Sequence, residues 1–195
     1  MTEKQRKRYD RILKLTYDIV ANEGFYKLSL KDLTEKLRVS RSTIYENFGS
    51  KEGLIEKIVE RYDEQLNLGL IEIMNDEKLS PYNRFLAIAE QLAKNSPSRN
   101  IYKFYNDLKI HLPELYEQYL VGRKKRIDNV YRPLIKEGIK NKLFDESIPE
   151  DFLLQSYLKS SQMVCETDML ENSNLNKGEA MDLMTKIFLN GAKSI

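Results

Sequence analysis

The chain has 195 residues and a formal net charge of only +2, with a single cysteine and a single histidine. That length allows one or two domains with a sizeable core, and one thiol excludes both an intrachain disulfide and a Cys-rich zinc site, as expected of a reduced, intracellular protein. The charge is unevenly spread: residues 1–51 hold twelve Lys+Arg against seven Asp+Glu, and the remainder twenty against twenty-three, so a basic head precedes a slightly acidic body, the pattern of a small nucleic-acid-binding part on a larger neutral one.

Nearly every segment reads as helix, with no strand alternation, low-complexity tract or internal repeat. The first helix is predicted from about Glu3 to Glu23, with Ile12, Leu15, Ile19 and Val20 as its buried stripe and Gly24 as its stop. Asp10, Arg11, Lys14 and Asp18 interrupt its apolar positions, so it is neither a signal peptide nor a membrane span, and a cytoplasmic location is expected. Ser29 caps a second helix, with Asp32 in the capping-box position and Leu30, Leu33 and Leu37 as its apolar face. A tight connection at Arg38-Val39 leads to Ser40, the cap of a third helix that ends at Gly49-Ser50. A long fourth helix is predicted from Lys51 to about Asn75, bridging two domains. The remainder is expected as helices over Pro81–Asn95, Ser98–Leu112, Pro113–Asn141, Pro149–Glu171 and Asn176–Ala192, three of them started by proline.

The third helix carries the chemistry. With Ile44 and Phe48 turned inward, Ser42 and Glu46 point outward, Thr43 and Tyr45 flank them, and Arg41 and Asn47 lie nearer the inner edge. Short or planar outward residues let a helix approach bases closely: hydroxyls can meet phosphate or base edges, and Glu46 can accept from a cytosine amino group. Lys51 adds charge beside backbone amides oriented for an anion, and Lys31 near the second helix start could meet phosphate. An ordinary surface helix that contacts nothing has the same spacing.

Residues Ile12 to Tyr62 resemble the DNA-binding domain of the TetR/AcrR family of bacterial transcriptional regulators, through Leu30, Leu33, Val39-Ser40, Thr43-Ile44-Tyr45, Phe48 and Ser50-Lys51-Glu52 with Leu54. The resemblance implies an all-α fold: a three-helix helix-turn-helix domain over residues 1–50, then a larger helical effector-binding and dimerisation domain over 51–195. It implies a homodimer that inserts its third helices into the major groove of an operator, with Thr43 and Tyr45 at DNA-contacting positions and Lys51 at a phosphate-contacting one. The chain departs from the family pattern at Leu37, where a small residue is usual, at Arg38 and Ser42 in place of glycine and at Asn47 in place of histidine. Arg38 implies a turn that avoids φ > 0 or accepts modest strain.

Several other groupings have two readings. Arg6, Lys7 and Arg8 could reach DNA as an arm or form a solvated terminus. Arg123-Lys124-Lys125-Arg126 reads as a solvated helix face. Tyr102, Tyr105, Tyr116 and Tyr119, with His111 among them, suit an effector pocket or an ordinary helical core. On the last two helices Phe152, Tyr157, Met163, Met184, Ile187 and Phe188 could close the core or pair with a second subunit. Cys165 is expected in a helix near that interface. No catalytic constellation, metal-ligand set, phosphate loop or other cofactor signature stands out. The expected function is a sequence-specific DNA-binding regulator, a repressor released by a small-molecule effector. The alternatives are an architectural or cell-division factor of the same fold without an effector, and a helical protein-interaction module.

Overall fold

Hydroxyl side chains open the first three helices. In the computed structural model, which describes residues 2–95, 101–164, 170 and 174–193, Thr2 and Gln5 cap α1 (Glu3–Glu23) reciprocally, Ser29 and Asp32 do the same for α2 (Leu30–Leu37), and Ser40 accepts the Thr43 amide at the start of α3 (Arg41–Phe48). Each cap satisfies amides that the first turn leaves unpaired. The turn between α2 and α3 passes through Arg38 in the left-handed region (φ 54°, ψ 50°). The chain therefore accepts the strain of an L-residue where glycine is free, about 1–2 kcal/mol. Ser50 caps the next helix by accepting the Gly53 amide at 3.0 Å. A side-chain carbon at Gly53 would lie 2.1 Å from the Phe48 carbonyl oxygen, so this turn closes only on glycine.

The long α4 (Lys51–Asn75), α5 (Pro81–Asn95), α6 (Ile101–His111) and α7 (Pro113–Arg126) follow. The segment expected as one helix from Pro113 to Asn141 widens into a π-turn at Ile127–Tyr131 before continuing as α8 (Arg132–Lys140). Pro133 is the physical reason, since its ring crowds the carbonyl four residues back and a wider turn relieves the clash. The last described helices are α9 (Glu150–Met163) and α10 (Lys177–Gly191), the latter capped by Asn176 and Glu179. All regular structure among the described residues is helical.

Backbone proximity divides the chain into two units, Met1–Glu64 with Asn100–Tyr119, and Gln65–Arg99 with Leu120–Ile195. In the first, Leu13, Val20, Leu33, Leu37, Ile44, Leu54, Ile55, Ile58, Phe104 and Leu108 are buried. The α1 stripe is rotated from the predicted one: Leu13, Thr16, Tyr17 and Ala21 are buried with Ile12 and Val20, while Leu15 and Ile19 are half-buried. The rotation follows from α6, which packs on α1. It brings Phe104 edge-on to Tyr17, at 6.4 Å between ring centroids, and to Phe25 at 6.1 Å. Tyr17 also stacks on Tyr62 at 3.4 Å, and burial pushes the Tyr62 phenol up to about 12.

In the second unit α5 packs on α8 and α10, and α9 on α8 and α10. Leu70, Phe85, Ile88, Leu134, Ile135, Phe144, Leu153, Leu154 and Tyr157 form its core. Arg84 is buried there and donates to the Glu137 carboxylate at 2.5 Å and the Asp76 carbonyl at 3.1 Å.

Candidate nucleic-acid interface

Burial of Ile44 and Phe48 fixes which side of α3 faces out, and Phe48 also stacks on Tyr9 of α1 at 4.9 Å. Arg41, Ser42, Tyr45, Glu46 and Asn47 are then exposed together, Tyr45 at 55%. Asn47 was expected nearer the inner edge; it lies outside and donates to the Thr43 carbonyl at 2.7 Å.

Thr43 departs further from expectation. It is only 6% exposed, and its hydroxyl lies 2.8 Å from that of Ser40 and accepts from the Arg8 guanidinium at 3.0 Å. Ser40 in turn lies 2.8 Å from the Ser42 hydroxyl. A chain of polar groups thus runs from Arg8 on α1 through Thr43 and Ser40 to Ser42 on the open face. The capping geometry explains it: Ser40 needs Thr43 three residues on, and that spacing turns the Thr43 side chain toward α1.

Lys51 lies at the start of α4, as the sequence indicates, but its ammonium donates to the carbonyls of Phe25 at 3.3 Å and Leu28 at 3.0 Å and lies 5.8 Å from the centroid of the Phe25 ring. The same loop is held by a residue that sequence reasoning missed. The Asp107 carboxylate of α6 accepts the amides of Phe25 and Tyr26 at 2.8 and 2.9 Å. Gly24, at φ 76°, lets that carboxylate approach; a side-chain carbon there would lie 2.5 Å from its oxygen. The loop joining α1 to α2 is therefore gripped through its carbonyls by Lys51 and through its amides by Asp107. Lys31 is exposed on α2, 3.9 Å from Glu35.

The aromatic residues expected to line a pocket do other things in the described structure. His111 stacks on Tyr26 at 3.5 Å with nearly parallel planes, which ties α6 to the loop rather than opening a cavity. Tyr105 stacks on Tyr119 at 4.4 Å, and Tyr116 lies 6.1 Å from Tyr119. The Tyr102 side chain and Cys165 lie outside the described residues. A surface groove of about 640 Å³ runs between α5 and α10, lined by Asn83, Leu86, Ala87, Glu90, Ala93, Lys94, Gly178 and Asp182, none of them an expected pocket residue. Arg126, read as part of a solvated face, is buried and donates to Asn67 at 3.3 Å.

The residues expected at a dimer interface separate into two groups. Tyr157 and Met184 are corrected to core positions: Tyr157 is completely buried, packed edge-on against Phe85 at 5.0 Å, and Met184 is buried with it. Phe188 is half-buried and packs on the same rings. Phe152, Met163 and Ile187 are exposed, Ile187 at 72%, and Leu183 is exposed with them. The apolar faces of α9 and α10 are broad enough to serve both a core and a surface, and periodicity cannot divide them. The Arg84 Nε is buried without a hydrogen-bond partner, and the buried Tyr157 and Thr185 hydroxyls lie beside each other without a well-aligned bond. Burial raises the Tyr157 phenol far above its ordinary range.

Among the described residues, no group of three or more His, Cys, Asp or Glu side chains is arranged to hold a metal ion, and no helix is long and apolar enough to cross a membrane. Residues 12–58 match the profile of a family described as bacterial regulatory proteins, tetR family. No curated protein matches the chain. Among solved structures it is similar to the TetR-family transcriptional regulator PfmR from Thermus thermophilus, at 18% identity and TM-score 0.71, over 95% of this chain and 100% of that one. It is similar to the ketosteroid transcriptional regulator KstR2 of Mycobacterium tuberculosis, at 14% identity and TM-score 0.76, over 96% of each chain. It is also similar to the fatty acid degradation regulator FadR from Bacillus halodurans, at 15% identity and TM-score 0.69, over 94% of this chain and 95% of that one.

Proposed function

We propose that the protein is a cytoplasmic, sequence-specific DNA-binding regulator, a homodimeric repressor released from its operator by a small molecule, a reading supported by the match of residues 12–58 to the tetR family of bacterial regulatory proteins and by the fold shared with TetR-family transcriptional regulators. The observation that carries the reading is the exposed row Arg41, Ser42, Tyr45, Glu46 and Asn47 on a helix whose opposite side is buried through Ile44 and Phe48. Rigid seating matters because base contacts discriminate only when donors and acceptors are held in register.

In this reading residues 1–50, together with Lys51 at the start of α4, bind DNA, and the remainder of residues 51–195 binds the effector and the second subunit. Glu46 reads a base, Tyr45 and Ser42 contact the backbone or base edges, and Lys31 approaches a phosphate. Thr43 supports the surface from beneath. Lys51 uses two of its three N–H groups on the loop carbonyls and has the third for a phosphate. Exposed Phe152, Met163, Leu183 and Ile187 on α9 and α10 supply apolar surface for a partner copy. The similar structures carry names from ketosteroid and from fatty acid degradation regulation, and neither name assigns an effector to this chain. A coupling of about 1–3 kcal/mol between effector and operator would weaken DNA binding roughly 5–150-fold.

Sequencing DNA that co-purifies with the protein supplies the operator, and titration against that fragment and a random duplex tests the reading. Glu46→Ala should lower the preference between the two by about 1–3 kcal/mol at one base pair, while Lys51→Ala should weaken binding to both. Equal wild-type affinity for the two duplexes would overturn sequence-specific recognition.

A further inference from the structure

Arg8 is the one α1 cation that the described structure ties to the reading helix. Its guanidinium donates to the Thr43 hydroxyl at 3.0 Å, yet Arg8 itself is exposed and forms no ion pair among the described residues. On the same helix Lys7 is paired with Glu3, and elsewhere in the first unit Lys31 is paired with Glu35, Lys36 with Glu23, Lys57 with Glu60 and Arg61 with Asp10. Two more unmatched, exposed cations share its flank. At 100° per residue Lys4, Arg8 and Arg11 fall within an arc of about 60°, and the buried Ile12 lies about 40° to the other side of Arg8. Arg8 therefore stands at the border between the α1–α3 contact and open solvent, with a basic strip running along α1 beside it.

We propose that the Lys4–Arg8–Arg11 strip of α1 is a phosphate-binding surface for the duplex read by α3, with Arg8 as its principal contact and Thr43 as the residue that positions it. An unmatched strip of like charge on one helix flank attracts a polyanion, and a guanidinium has five donors of which Thr43 takes one. A hydrogen bond from the reading helix fixes the remaining four relative to that helix, so the backbone contact and the base contacts are set in one register. The partner is double-stranded DNA through its phosphates; the arrangement has no requirement for a particular base. The inference rests on the DNA-binding reading and adds a second helix to the contact surface.

The test is the salt dependence of binding to a random-sequence duplex, measured by anisotropy for the full chain. Each phosphate contact adds about 0.9 to the slope of log affinity against log salt. Arg8→Gln should lower that slope by about one, so that its deficit relative to wild type shrinks about three- to fourfold between about 50 and 200 mM salt. Thr43→Val removes the hydroxyl at constant shape and should shift the slope the same way by less, while Thr43→Ser should restore it. Arg8→Gln or Thr43→Val with the wild-type slope would overturn the proposal. A purely structural role would lower the thermal midpoint of these variants and leave the slope unchanged, and that outcome overturns it equally. A wild-type protein that binds no duplex at any salt would instead overturn the DNA-binding reading itself.

Discussion

Around the reading helix, Thr43, Asn47, Lys51 and Asp107 each end on a hydrogen-bond partner, whereas in the second unit the Arg84 Nε is buried without one and the hydroxyls of Tyr157 and Thr185 are buried without a well-aligned one. The first arrangement is that of a surface that must keep one shape. Apart from the buried Thr43 its polar groups are exposed or half-exposed, and each bond removes a rotamer that would blur the presented row. The second is that of an interior held by ring packing, where Phe85, Phe144, Tyr157 and Phe188 meet at 5.0 to 6.0 Å and shape alone sets the positions. Hydrogen bonds specify the first region, and apart from the Arg84 bonds to Glu137 and Asp76 ring packing specifies the interior of the second, so removing a bonded polar group in the first and an unbonded hydroxyl in the second should have opposite signs.

The largest effect is expected at Asp107. Asp107→Ala leaves the Phe25 and Tyr26 amides without their charged acceptor, and hydrogen bonds to a charged group contribute about 1.5–3 kcal/mol each. A loss of about 3 kcal/mol in urea unfolding is expected, with Asp107→Asn in between because one carbonyl oxygen remains. A loss under about 0.5 kcal/mol would mean that the loop is held by its ring contacts, as the second unit is, and the contrast would fail.

Thr185→Val sharpens the same comparison from the other side. It keeps the side-chain shape and deletes a hydroxyl whose polar neighbour, the Tyr157 phenol, makes no well-aligned bond with it, so stability should hold or rise by up to about 1 kcal/mol. Tyr157→Phe should follow in direction, with a smaller gain because the lost oxygen leaves a void. A clear loss in Thr185→Val would show that the hydroxyl is bonded in solution, through water for instance, and would draw the two regions together.

The same division explains what could be read from the chain alone. Caps at Ser29 and Ser40, the inward pair Ile44 and Phe48, and the outward Tyr45 and Glu46 were legible because each follows from residues three or four apart. Thr43 was misjudged because a helical wheel has no knowledge of α1, whose Arg8 lies 35 positions away. Asp107 was invisible for the same reason at a separation of 82, and its one local trace was Gly24, read only as a helix stop. In the second unit, Tyr157 and Ile187 share broad apolar faces in the sequence. Only packing of α9 and α10 on the rest of that unit buries the first and leaves the second in solvent.

The smallest effect concerns acid stability at the start of α2. Hydrogen bonds from the Ser29 hydroxyl and amide hold the Asp32 carboxyl below its ordinary value of 3.8. As pH falls, the unfolded chain takes up this proton first. The stabilisation is therefore complete above the unfolded value and is lost progressively as pH drops through the lower folded one. Asp32→Asn cannot titrate, so the difference in unfolding free energy between wild type and variant should be constant from neutral pH to about 5 and then narrow below about 4. Because the cap is exposed, salt and solvent weaken it, and the narrowing should be slight beside the Asp107 effect. A difference that stays constant to pH 3 would mean the box does not form in solution. The reading helix would then depend on Lys51 and Asp107 alone for the entry angle of α2.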